Sequence, residues 1–291
     1  MKKVLSILLI ALLLISFAGC SEILPKGPGE NEVTPTSSGV PSQDPTQSGN
    51  VDPEPAEDYS GMTAFELYEL SQAKTNEVDS IEMSMVVDEA IVLDGNSVGN
   101  MTINGNVKMI KHSEQDIEMY MDMGMSGMVS TDMLIYYRDG YAYYDMMGQK
   151  IKMEMDTEEM MAQSNSMMSM MFAESAVRDS SVRKDGDNTI LSLKLGGESI
   201  TELMEKMMPN TDALDSMETV GDIELDVVLD KDMITKSAVF KFTVSASMMG
   251  ETAVIEVTSK GDVTALGNVT ITAPTGLDSY TLQANPLDGM F

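Results

Sequence analysis

The sequence holds 291 residues with a formal net charge of −29, 18 basic side chains standing against 47 acidic ones. That balance excludes a nucleic-acid partner, because phosphate binding needs clustered Lys and Arg, and it argues against a polybasic dock on anionic headgroups. One cysteine and one histidine stand beside 30 methionines, so a disulfide framework is excluded and acid–base chemistry would rest on carboxylates alone.

Residues 1–19 read as a lipoprotein signal peptide. Lys2 and Lys3 precede an apolar run, Val4 to Phe17, that is too short for an ordinary membrane span. The run ends in Phe17-Ala18-Gly19-Cys20. Small residues just before a cysteine resemble the lipobox of bacterial lipoproteins, with Phe17 where leucine is usual. The resemblance implies that Cys20 is lipidated and anchors the mature chain to the extracytoplasmic face of the cell membrane. A non-cleaved anchor, or a secretory signal with an incidental cysteine, is the plainer alternative. Residues 20–60 then carry seven of the ten prolines among Ser, Thr, Gly and acids. Such a segment buries too little apolar surface to offset its chain entropy, and is expected to be a disordered tether reaching roughly 35 Å.

Residues 61–291 suffice for one domain with a sizeable core. Thr63-Ala64-Phe65-Glu66 fits a capping box for a helix reaching about Asn76. Strands follow. Ile81, Met83, Met85 and Val87 alternate with Glu82, Ser84 and Asp88; Met101, Ile103, Val107 and Met109 share a face that Gly105 should weaken or bulge. In DIEMYMDMGMSGM, from Asp116 to Met128, Met119, Met121, Met123 and Met125 fall on one side of a strand. Glu118, Tyr120 and Asp122 fall on the side expected to be wet. A hairpin is expected about Arg138-Asp139-Gly140, then a short strand from Lys150 to Met155.

Two further helices are expected, one from Asp156 through Met171 and one from Ser199 to Met207, stopped by Pro209. Between them, two strands should turn at Asp185-Gly186-Asp187-Asn188. Ile223 to Leu229, Ala238 to Val244 and Ala253 to Val257 give three closing strands with clean period two and short, antiparallel connections.

The methionine pattern admits three readings. Methionine can replace Leu or Ile in a plain core. Because Met is flexible and specifies packing poorly, it also suits an adaptable apolar pocket. Copper(I) is selected by thioethers, and the run Met167 to Met171 would suit it, yet a strand spreads its sulfurs along a line. His112, beside Lys111, reads as a solvent-facing residue. Ser71-Gln72-Ala73-Lys74 matches the Ser-x-x-Lys pattern of penicillin-recognising enzymes, but the companion Ser-Asp-Asn and Lys-Thr-Gly motifs are missing. No phosphate loop or zinc spacing occurs. An enzyme is not expected, and no catalytic residue, metal or cofactor is assigned.

The lipobox, the tether and the helix-then-strands order, with DSIEMSMVVDEAI at Asp79 to Ile91 and GNVTITAPTGLDSY at Gly267 to Tyr280, resemble the LolA/LppX-like bacterial lipoproteins. Met-rich lipoproteins of Gram-positive bacteria in that group are the closest in pattern. The resemblance implies an α+β fold: an antiparallel open half-barrel with helices packed on its concave face, holding an acyl chain or other lipid. The expected function is non-enzymatic binding of a hydrophobic ligand in a Met-lined cavity. The expected lining is Met83, Met85, Met119, Met121, Met123, Leu225, Phe240 and Phe242. A ligand-free protein-interaction or envelope-sensing module is the alternative.

Overall fold

A computed structural model describes residues 59–113, 116–127, 130–155, 172–197, 217–248 and 251–283. The signal peptide, Cys20, nearly all of the tether, and the helix candidates at 156–171 and 199–207 lie outside the described residues.

Helix α1 spans Ala64–Asn76. The Thr63 hydroxyl accepts from the Glu66 N–H at 3.2 Å, and the Thr63 N–H donates to Glu66 Oε2 at 2.6 Å, closing the capping box the sequence predicts. α1 buries Ala64, Phe65, Leu67, Ser71 and Thr75, and meets the sheet at β7 (Val177–Asp185), β8 (Asn188–Leu195) and β11 (Thr235–Met248). The buried Ser71 hydroxyl lies 2.8 Å from that of Thr235, tying helix to sheet.

The remaining strands are β1 (Ser80–Leu93), β2 (Asn96–Ser113), β3 (Asp116–Ser126), β4 (Thr131–Arg138), β5 (Tyr141–Met146), β6 (Gln149–Glu154), β9 (Met217–Thr219), β10 (Ile223–Leu229), β12 (Glu251–Leu266) and β13 (Thr281–Gln283). All join one open sheet in the order β13-β6-β5-β4-β3-β2-β1-β12-β11-β10-β8-β7, with β9 added on β11. Pairing is antiparallel except between β13 and β6, so the sheet is mixed. The loops between β1 and β2, β4 and β5, and β5 and β6 each turn on two residues of positive φ, Asp94-Gly95, Asp139-Gly140 and Met147-Gly148. This is the two-residue geometry that matches strand twist.

The α+β half-barrel with helices on its concave face is therefore overturned. The described chain is β-dominated, with one α-helix among the described residues and strands as long as 18 residues. The reason is physical: period-two apolar rows run on from strand to strand, and neighbouring strands rather than helices complete them. The edge strand β7 is exposed along nearly its whole length and carries Arg178, Asp179, Arg183, Lys184 and Asp185, charges that discourage pairing with another chain.

The main core lies on one face of the sheet, from Leu191, Leu193 and Leu195 through Phe240 and Val257 to Met85, Ile103 and Met123. Each such side chain contributes roughly 1.5–3 kcal/mol when fully buried. A smaller cluster, Ile117, Tyr137, Ala142 and Met155, continues towards β5. The opposite face is wet over β1 and β2, where Glu82 accepts from Asn106 at 3.0 Å and meets Lys108 at 3.4 Å. Over β3 to β5 it is aromatic. Tyr136, Tyr143 and Tyr280 form a third cluster there with Tyr120, Tyr141, Ile271 and Leu277. The chain after β12 thus returns across this face before adding β13 beside β6.

Candidate functional site

Register shows how the methionines come together. Met85 on β1 pairs with Gly105 on β2, and Gly105 pairs with Met123 on β3, which pairs with Met133 on β4. On the other side of Met85 the row continues through Gly261 and Ala238 to Val227. One step along, Met83, Val107, Met121 and Ile135 form the next row. In the first row Gly105 stands between two thioethers and Gly261 and Ala238 follow Met85 on its other side, whereas the second row interleaves its methionines with Val107 and Ile135.

Gly105 is the clearest case. A Cβ there would stand 2.9 Å from Met85 Cγ, 3.2 Å from its sulfur and 3.3 Å from Met123 Cγ. The ladder runs unshifted past this residue, so Gly105 does not bulge the strand. It makes room for two methionine side chains.

Of the eight residues expected to line a cavity, Met83, Met85, Met123, Leu225, Phe240 and Phe242 are buried members of the main cluster, and half-buried Met121 packs against it. Met119 packs instead with Ile117, Tyr137 and Ala142 in the adjoining cluster. The rings of Phe240 and Phe242 lie 5.3 Å apart, and Phe172 stacks on Phe240 at 6.3 Å.

Glu89 was not among the expected residues. It lies in the middle of this apolar face, 3% exposed, paired with Met101 on β2 and Val257 on β12. Among the described residues, neither carboxylate oxygen has a hydrogen-bond partner. Burial alone pushes its carboxyl up from 4.5 to about 7. The signal was present in the sequence: Ile81, Met83, Met85 and Val87 set a parity that runs on to Glu89. Asp88, its neighbour, faces out and accepts from Thr102 at 2.7 Å.

The aromatic face holds a recess of about 320 Å³ between β5, β6 and the returning chain, lined by Tyr141, Tyr143, Lys152, Leu277, Asp278 and Tyr280. Lys152 Nζ stands 3.7 Å from the Tyr141 ring centre and 5.1 Å from that of Tyr143. This ammonium is held by the rings.

Other residues singled out by sequence have ordinary surroundings. Ser71 is buried under the helix with its hydroxyl 2.8 Å from that of Thr235, and Lys74 donates to the Tyr59 hydroxyl at 2.6 Å. His112 sits near the surface, 3.4 Å from Glu118. Asp185 to Asn188 is the predicted turn, with Gly186 at positive φ. Among the described residues, no cluster of three His, Cys, Asp or Glu side chains is placed to hold a metal, and no helix is long and apolar enough to cross a membrane. The run Met167 to Met171 lies outside them.

A family of unknown function, DUF6612, matches residues 63–275, from the helix cap to the returning C-terminal segment. The chain belongs to the DUF6612 family. No curated protein matches the sequence. Solved structures give distant likenesses to this DUF6612 chain. A DUF1329 family protein from Desulfovibrio piger ATCC 29098 shares 10% identity over 67% of this chain and 89% of its own, with a TM-score of 0.23. A beta-barrel-like protein of a domain of unknown function, DUF1849, from Brucella abortus shares 7% over 65% and 100%, at 0.18. A domain described as an outer membrane lipoprotein-sorting protein, from Vibrio parahaemolyticus, shares 9% over 69% and 90%, at 0.19. Identities and scores this low establish neither a common fold nor a common activity, and the family membership stands apart from them.

Proposed function

We propose that this DUF6612 chain is an exported, lipid-anchored protein of the bacterial cell envelope that binds an apolar ligand on the methionine face of its sheet. One observation carries the reading: Met85 and Met123 close over Gly105, where a side chain would collide with both, so flexible thioethers rather than a fixed side chain form this part of the face. Flexible, polarisable side chains over small residues adapt to guests of varied shape, whereas a core built for rigidity favours β-branched residues. The ligand is an acyl chain or a molecule of similar apolarity, and the role is binding without chemistry.

Cys20, with its resemblance to a lipobox, supplies the anchor in this reading. A tethered domain hands over, stores or senses ligand locally and does not cross a compartment. The reading is tested by purifying the exported chain with Cys20→Ser, extracting it with organic solvent and measuring the extract by mass spectrometry. A stoichiometric apolar molecule supports it. An empty extract, together with no uptake of added fatty acid, alcohol or amine, sinks it in favour of an interaction module. The open aromatic recess beside Lys152 is the feature such a module would offer a partner.

A further inference from the structure

We propose that Glu89 is the polar anchor of the methionine face, and that the ligand held there is an apolar molecule carrying a protonated primary amine. The inference rests on the ligand-binding reading above and narrows it to a chemical class.

Apolar side chains surround the carboxylate. Along its own strand its same-face neighbours are Val87 and Ile91; across β2 and β12 they are Met101 and Val257, and beyond Val257 comes Phe242. Ser259, also buried on this face, does not titrate. Among the described residues, none of the positions facing Glu89 from β1, β2, β11 or β12 is charged. The nearest acid in sequence, Asp88, is on the opposite face with Thr102. Among the described residues, two acceptor oxygens are therefore set in an apolar surface with no donor to receive them.

An unpaired buried carboxylate is costly, and pairing with a positively charged donor removes that cost most completely. An ammonium brings three N–H donors and the opposite charge; a neutral hydroxyl brings one donor and no charge. The wider field points the same way. At a net charge of −29 the chain repels carboxylate- and phosphate-headed amphiphiles and gathers cationic ones. Burial also keeps Glu89 half-ionised near pH 7, so the pairing is set by pH in the ordinary range.

The test is displacement of the fluorescent apolar probe N-phenyl-1-naphthylamine from the full chain carrying Cys20→Ser. Dodecylamine, dodecanol and dodecanoic acid, which share one chain length, are the competitors. At pH 8, dodecylamine should bind about tenfold or more tightly than either of the others, the scale of a charge-assisted hydrogen bond. In Glu89→Gln that ratio should fall to near one. Glu224→Gln, which removes an exposed carboxylate on the other face, should keep it. Lowering the pH of the unsubstituted chain from 8 to 5.5 should erase the ratio while most surface carboxylates stay ionised, so the result does not depend on the variant folding.

Equal affinities at pH 8, or a preference that survives both Glu89→Gln and pH 5.5, overturns the amine assignment and leaves the ligand-binding reading intact. Failure of the probe and of all three competitors to bind overturns both.

Discussion

Gly105 and Met85 face one another across β1 and β2 so closely that a methyl group on Gly105 would lie 2.9 Å from Met85 Cγ. Gly105→Ala should therefore destabilise the domain by about 1–3 kcal/mol, the range for overpacking a filled site. Combining it with Met85→Ala should cost less than the two single changes added, because the second removes the obstacle to the first. Urea denaturation of the three variants measures this. Simple additivity would mean that the glycine does not serve the thioether.

Glu89 gives the domain a pH dependence of definite sign. Its carboxyl titrates at about 7 in the folded chain and at the ordinary 4.5 when unfolded. Between these values the folded chain keeps a proton that the unfolded chain has lost. The stabilising contribution is thus complete below about pH 4.5, declines as pH rises, and is gone above about 7. The span corresponds to about 3 kcal/mol. Glu89→Gln should gain stability relative to the unsubstituted chain between pH 5 and pH 8 by an amount of that order. Parallel stability profiles for the two proteins would contradict the buried, unpaired state of this carboxylate.

How much of this was legible beforehand is clearest at the same residue. Period-two alternation fixes faces well, and it placed Met83, Met85 and Met123 together. It also places Glu89 with them, but an acidic residue is ordinarily assigned to the wet side whatever its parity. Tyr120 misleads in the opposite direction: an amphipathic ring is at home in water, and only the returning chain with Ile271, Leu277 and Tyr280 makes the face it shares with Tyr136 and Tyr143 a covered one. That segment, GNVTITAPTGLDSY, has no strand pairing of its own before β13, so nothing local announces where it lies. The order of strands, with β1 joining β12 across some 170 residues of chain, is likewise a property of the whole sheet. The expected helical cover came from resemblance, and one large β-sheet replaced it.

The Ser71–Thr235 contact should prove structural. Ser71→Ala leaves the buried Thr235 hydroxyl without this 2.8 Å partner and should cost about 1–3 kcal/mol. Ser71→Ala with Thr235→Val, which removes both polar groups, should restore part of that loss. Thermal melts of the set decide it. A stability unchanged by Ser71→Ala would remove the account of why a Ser-x-x-Lys serine is sealed beneath a helix.

The returning C-terminal chain should be held chiefly by Tyr280, whose ring meets Tyr143 edge-on at 5.5 Å and carries Lys150 Nζ 5.3 Å from its centre. Tyr280→Ala should release residues 267–283 first, as a local opening rather than global unfolding. Limited proteolysis should then cut this segment several-fold faster, with the β1–β3 region still protected from hydrogen exchange. Uniform loss of protection would show that the strap and the main sheet open as one unit.

The most direct test of the account is to photolabel the Cys20→Ser chain with a diazirine-bearing long-chain alkylamine and to map the adducts by peptide mass spectrometry. The account predicts saturable labelling on the methionine face, at Met83, Met85, Met121 or Met123 and beside Glu89. Labelling confined to the tyrosine-lined recess by Lys152, or scattered without saturation, would contradict it.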